Sequence, residues 1–107
     1  MPKRRAASLG KSRDPFDPLD GPVTATLDLH GNTALEARAR LDGFFATARR
    51  RHPGGLLHVV TGKGRNSPGR PVLKPLVRGL LAKAPSTVVA AWGRDLDDGG
   101  FLVRLTG

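Results

Sequence analysis

Apolar positions along this chain follow two rhythms, and the changes between them mark out its elements. Val23-Thr24-Ala25-Thr26-Leu27-Asp28-Leu29-His30 has the β-branched, half-alternating character of a strand, and Gly31-Asn32 ends it. Apolar side chains then recur at steps of three and four, at Ala34, Ala37, Leu41, Phe44 and Ala48, which is one face of a helix. Thr33 with Glu36 three residues later forms a capping-box pattern at its start, and Pro53-Gly54-Gly55 stops it. Leu56–Thr61 is a short, nearly continuous apolar run, as expected of a strand buried on both faces. A glycine-rich basic loop, residues 62–70, precedes a second helical pattern at Val72, Leu73, Leu76, Val77, Leu80 and Leu81. Pro71 suits the first turn of that helix, Pro75 must also lie within it, and Pro85 marks the end. Thr87–Trp92 reads as a third strand. An acidic turn over 93–100 leads to a fourth, Phe101–Thr106, with Phe101, Val103 and Leu105 on one face.

The order is therefore βαβαββ: two crossover units and a closing hairpin. It predicts an α/β two-layer sandwich, a small four-stranded mixed sheet with two helices mainly on one face. Residues 1–22 have four prolines and no helical period and read as a disordered or extended arm, with one domain over 23–107. The arm's opening stretch, Met1–Arg13, is basic, acid-free and carries two serines, so a transit peptide stays open beside a plain linker or a phosphate-touching arm.

Composition narrows the partners. The formal charge is +9, and from Arg38 to Lys83 eleven basic residues face one acid, Asp42. A folded middle so charged points to a polyanion, with nucleic acid ahead of a membrane surface. The chain has no cysteine, which excludes disulfides and thiolate zinc sites and suits a cytoplasmic location. No apolar run approaches membrane-spanning length. One tryptophan and no tyrosine leave little for stacking bases, so recognition should go through the phosphate backbone.

The chemistry follows from topology. A strand–helix–strand unit makes its strands parallel, with both carboxyl ends at one edge of the sheet, where ligands bind in open α/β sheets. The first strand ends in Asp28-Leu29-His30-Gly31 and the second in Thr61-Gly62-Lys63-Gly64. Asp28 and His30, two apart in a strand, would share a face, and a carboxylate beside an imidazole suits general acid–base work. Gly62 and Gly64 allow tight turns whose amides can cradle an anion, with Lys63, Arg65 and Arg70 adding charge. A helix cap at Asp28 and an ordinary strand-to-helix turn are the plainer readings of both motifs. Neither a Walker A loop nor G-x-G-x-x-G is present. His52 falls just past a helix end, and His58, mid-strand, reads as structural. Asp95, Asp97 and Asp98 form an acidic turn, with a divalent cation as the alternative.

Leu27-Asp28-Leu29-His30-Gly31, Thr33-x-x-Glu36-Ala37 and Thr61-Gly62-Lys63-Gly64 with Ser67-Pro68 together resemble the small MutS-related, or Smr, domain, from about Ala25 to Gly107. The resemblance implies a βαβαββ sandwich like the C-terminal domain of translation initiation factor three. It implies nucleic-acid binding, with endonuclease activity in several members on branched or nicked DNA or on messenger RNA at stalled ribosomes. Asp28, His30 and Lys63 would be catalytic, and Thr61, Gly62, Lys63, Gly64, Arg65 and Arg70 would bind phosphate. A divalent cation, Mg or Mn, is the one cofactor to consider, with Asp28 as its ligand. The pattern departs at Asn66, where many members have histidine, and at Asp98-Gly99-Gly100, where many have His-Gly-Gly. A non-catalytic nucleic-acid or ribosome binding module is the alternative.

Overall fold

The computed structural model describes residues 17–62, 72–95 and 99–107. Its elements run β1 (Ala25–Asp28), α1 (Ala34–Arg51), β2 (Leu56–Val60), α2 (Leu73–Lys83), β3 (Val89–Arg94) and β4 (Gly100–Leu105). They form one four-stranded sheet in the order β1-β2-β4-β3. β1 and β2 are parallel, while β4 is antiparallel to both β2 and β3. β3 therefore runs with β1 and β2, and all three send their carboxyl ends to one rim. This is the mixed βαβαββ sandwich read from the hydrophobic pattern.

Alternation sorts the strand residues onto two faces. Leu27, Leu57, Val59, Phe101, Val103 and Leu105 meet Ala37, Leu41 and Ala48 of α1 and Val77 and Leu81 of α2 in the main core. Trp92 packs edge-on against Phe101, with ring centroids 5.9 Å apart. The opposite face is smaller: Leu56 and Leu102 are fully buried under Leu19 and Val23. Residues 17–23 therefore lie along the sheet. Arg104 holds them there, donating from Nε to the Pro18 carbonyl at 2.8 Å and from Nη2 to the Asp20 carbonyl at 2.7 Å.

The helix ends follow local chemistry. Thr33 Oγ1 accepts from the Glu36 amide at 3.1 Å, and Glu36 Oε1 accepts from the Thr33 amide at 2.9 Å, which completes the capping box. α1 closes at His52, beyond a last turn of Arg49, Arg50 and Arg51 that suits the negative end of the helix dipole. Pro75 lies in the first turn of α2, as its missing amide requires.

Several boundaries shift. β1 stops at Asp28 rather than His30, although the Leu29 amide still reaches the Val60 carbonyl at 2.7 Å. β3 starts at Val89 and runs on to Arg94, with a register irregularity between Val89 and Ala91. Val72 precedes α2 and is exposed, so it is not part of that helix's apolar face.

Candidate functional site at the carboxyl rim of the sheet

The rim gathers the ends of three parallel strands. After β1 the chain turns sharply through Gly31, whose φ of 85° is in the left-handed region. The Asp28 carboxylate accepts from the His30 amide at 3.0 Å, an Asx-type turn that fixes the first bend. His30 thus sits on a turn rather than in the strand. Its Nδ1 lies 3.8 Å from Asp28 Oδ1, within ion-pair range and beyond hydrogen-bond range, and both side chains are largely exposed. The expected couple is present, but no hydrogen bond between the two side chains orients the imidazole.

A contact from α1 secures this turn. Arg40 Nη1 donates to the Asp28 carbonyl at 3.0 Å and to Asn32 Oδ1 at 2.8 Å. The Glu36 carboxyl beside it is held below the usual carboxylate range, chiefly by the Thr33 amide, then by Asn32 and the Thr33 hydroxyl. In the sequence Arg40 stands only as one of the eleven basic residues between Arg38 and Lys83.

β2 ends differently. The Thr61 and Gly62 amides both donate to the Gly99 carbonyl, at 2.8 and 2.9 Å. Thr61 is buried, and its hydroxyl lies 3.3 Å from the carbonyl oxygens of Gly62 and Gly99. The expectation that Gly62 offers its amide to an anion is therefore corrected: that amide is already bonded, and so is Thr61's. Gly62 keeps a different role in the fold, because its φ is 87° and a Cβ built there would lie 3.6 Å from the His30 Cβ. That short separation brings the two motif ends together. Lys63, Gly64, Arg65 and Arg70 lie outside the described residues.

The third contribution comes from the β3–β4 hairpin. Gly99 supplies the carbonyl just described. Gly100 has no room for a side chain, since a Cβ would overlap the Val59 carbonyl oxygen and lie 2.9 Å from the Val60 Cα. In the sequence Gly99-Gly100 stands out only as part of a departure from a family pattern. Two adjacent glycines opening a central strand were the available signal of a close backbone approach.

Asp95 turns inward rather than standing in an open acidic turn. Its Oδ2 meets His58 Nε2 at 2.7 Å, with side-chain exposures of 7% and 18%. Burial alone would raise its carboxyl, but the hydrogen bond and charge of His58 and the Gly99 and Gly100 amides outweigh that and hold it below the usual range. Asp97 and Asp98 lie outside the described residues. No group of three or more His, Cys, Asp or Glu suited to a metal occurs among the described residues, so Asp28 and His30 have no third such ligand there.

Fold and rim define a class: a small α/β sandwich with glycine-ended polar turns at the carboxyl edge of a mixed sheet. The sequence matches the Smr domain across residues 27–105, about three-quarters of the chain, and the chain belongs to that family. The family is associated with nucleic-acid binding and nuclease action. The crystal structure of the Smr domain of Thermus thermophilus MutS2 superposes with a TM-score of 0.62 at 24% identity, covering 78% of this chain and all of that one, a likeness of fold. An uncharacterized protein of Treponema pallidum (strain Nichols) is 48% identical over 64 residues, which make up 57% of this chain and 30% of that protein. The match therefore spans less than a third of that relative's length. No helix among the described residues is long and apolar enough to cross a membrane.

Proposed function

We propose that this chain binds nucleic acid at the carboxyl rim and cleaves a phosphodiester there, acting on RNA in preference to structured DNA. The observation that carries the reading is the approach of Gly62 to His30, 3.6 Å from a Cβ built at Gly62 to the His30 Cβ. It puts an imidazole beside the turn that precedes Lys63, Gly64, Arg65 and Arg70 in the sequence, where in this reading Lys63, Arg65 and Arg70 supply the phosphate-binding charge.

In this reading His30 takes the proton from an attacking 2′-hydroxyl, or returns one to the leaving 5′-oxygen. Asp28 holds the turn through the His30 amide, and its carboxylate lies 3.8 Å from the imidazole. Lys63 balances charge on the phosphate. A divalent cation would have Asp28 and His30 as its only His or acidic ligands among the described residues, and no step here is routed through one. The setting is cytoplasmic, and the ribosome is a candidate source of the RNA.

The second reading is a non-catalytic nucleic-acid or ribosome binding module. The lack of a hydrogen bond between the His30 ring and Asp28 favours it, since an unoriented ring is a poorer proton carrier.

The test is cleavage of labelled single-stranded RNA, duplex DNA and branched DNA, with and without chelator, by the wild type and by Asp28→Ala and His30→Ala. RNA cleavage that survives chelator and falls by about a hundredfold or more in His30→Ala is expected. Binding that persists in both variants, with no cleavage of any substrate, selects the binding module.

A further inference from the structure

Among the described residues, the proposed reaction leaves one part-buried ionisable pair unused. His58 and Asp95 meet at 2.7 Å on the sheet face away from the helices, joining β2 to the end of β3. A mid-strand histidine needs no carboxylate to be satisfied structurally, so the geometry of the pair asks what it holds.

The answer lies in the carboxylate's other oxygen. Asp95 Oδ1 accepts from the Gly99 amide at 3.0 Å. The carbonyl of the same Gly99 accepts from the Thr61 and Gly62 amides at 2.8 and 2.9 Å. Gly62 in turn neighbours His30. A continuous path of short contacts therefore runs from the interior of β2, through the hairpin, to the rim turn. The Gly99 amide and carbonyl belong to the two peptide units flanking its Cα, and the Asp95 carboxylate accepts from the Gly99 amide of the first and the Gly100 amide of the second, so it holds both.

We propose that His58 and Asp95 are positioning residues for the rim: they fix the backbone on both sides of Gly99, whose carbonyl holds Thr61 and Gly62 and so sets Gly62 beside His30. His58 orients the carboxylate, Asp95 carries that orientation to Gly99, and neither touches the substrate. The consequence for nucleic-acid cleavage rests on the function proposed above, whereas the consequence for the turn does not.

Amide hydrogen exchange, followed residue by residue in solution on the full chain without nucleic acid, separates the two. In Asp95→Ala and His58→Leu the Thr61 and Gly62 amides should exchange about tenfold faster or more. The Leu105 amide, bonded to the Gly55 carbonyl at 2.9 Å, should keep its wild-type rate. His58→Gln, which retains a donor toward Asp95, should restore rim protection. Should Asp95→Ala fail to fold, the two His58 variants carry the test. Wild-type exchange at Thr61 and Gly62, acceleration shared equally by Leu105, or a His58→Gln variant indistinguishable from His58→Leu would each overturn the proposal. RNA cleavage is then measured on the same proteins, where a fall in kcat with KM held is expected. Loosened rim amides with unchanged cleavage and affinity would support the positioning and overturn the nucleic-acid reading of the rim.

Discussion

Single residues at the rim carry more than their sequence pattern suggests, and two of them make direct predictions. At Gly100 a methyl group would collide with the backbone of β2. Gly100→Ala should therefore cost about 1–3 kcal/mol in denaturant unfolding, the range for forcing atoms into a packed site. Asp95 sets an acid limit. Its lowered carboxyl pKa means that the unfolded chain binds the more protons, so its contribution is complete above the ordinary value of 3.8 and is lost as pH falls below it. Urea unfolding between about pH 2.5 and 6 should show that loss in the wild type, and a flatter profile in Asp95→Asn. The sequence marked Asp28 and His30 as candidates because they stand together in a short motif. It marked Asp95 only as part of an acidic turn, because the partner that gives it meaning is thirty-seven residues away.

At the scale of elements, what was legible tracks what is local. The start of α1 was readable because its capping box is written in four consecutive residues, and Thr33→Ala should cost about 1 kcal/mol in the same unfolding measurement. Strand limits were less readable, since β1 ends where Asp28 bends the chain and not where β-propensity falls. The segment before β1 shows the same limit. Nothing in the run from Asp17 to Pro22 announces packing, yet Arg104 on β4 clasps its backbone from eighty-six residues away at the furthest. Arg104 also donates to the Gly54 carbonyl at 3.0 Å, so one guanidinium ties this segment and the α1–β2 turn to the last strand. Arg104→Ala should leave residues 17–21 cleavable by protease under native conditions, while the wild type resists there.

For the whole molecule, topology made the candidate site legible in the sequence. Parallel strands and a helical crossover put the Asp28–His30 and Thr61–Gly62 ends at one rim, as the right-handed crossover rule requires. The rule does not say which backbone groups remain open, and the Gly99 carbonyl takes the Thr61 and Gly62 amides. Charge is a property of this scale as well. The exposed faces of α1 and α2 carry Arg38, Arg49, Arg50, Arg51 and Arg78, so binding should be electrostatic and weaken steeply with salt. Neutralising Lys63, Arg65 or Arg70 should each time remove one phosphate interaction and lower the log–log salt slope by about one in filter-binding titrations of RNA.

The rim formed by β1, β2 and the β3–β4 hairpin is, in this account, where a phosphodiester sits. Titrating the labelled protein with a short RNA and following backbone amide shifts tests that placement directly. Shifts concentrated at His30, Gly31, Thr61, Gly62 and Gly99, saturating together, are the predicted result. Saturating shifts confined to other surfaces, with those five amides unmoved, would contradict it.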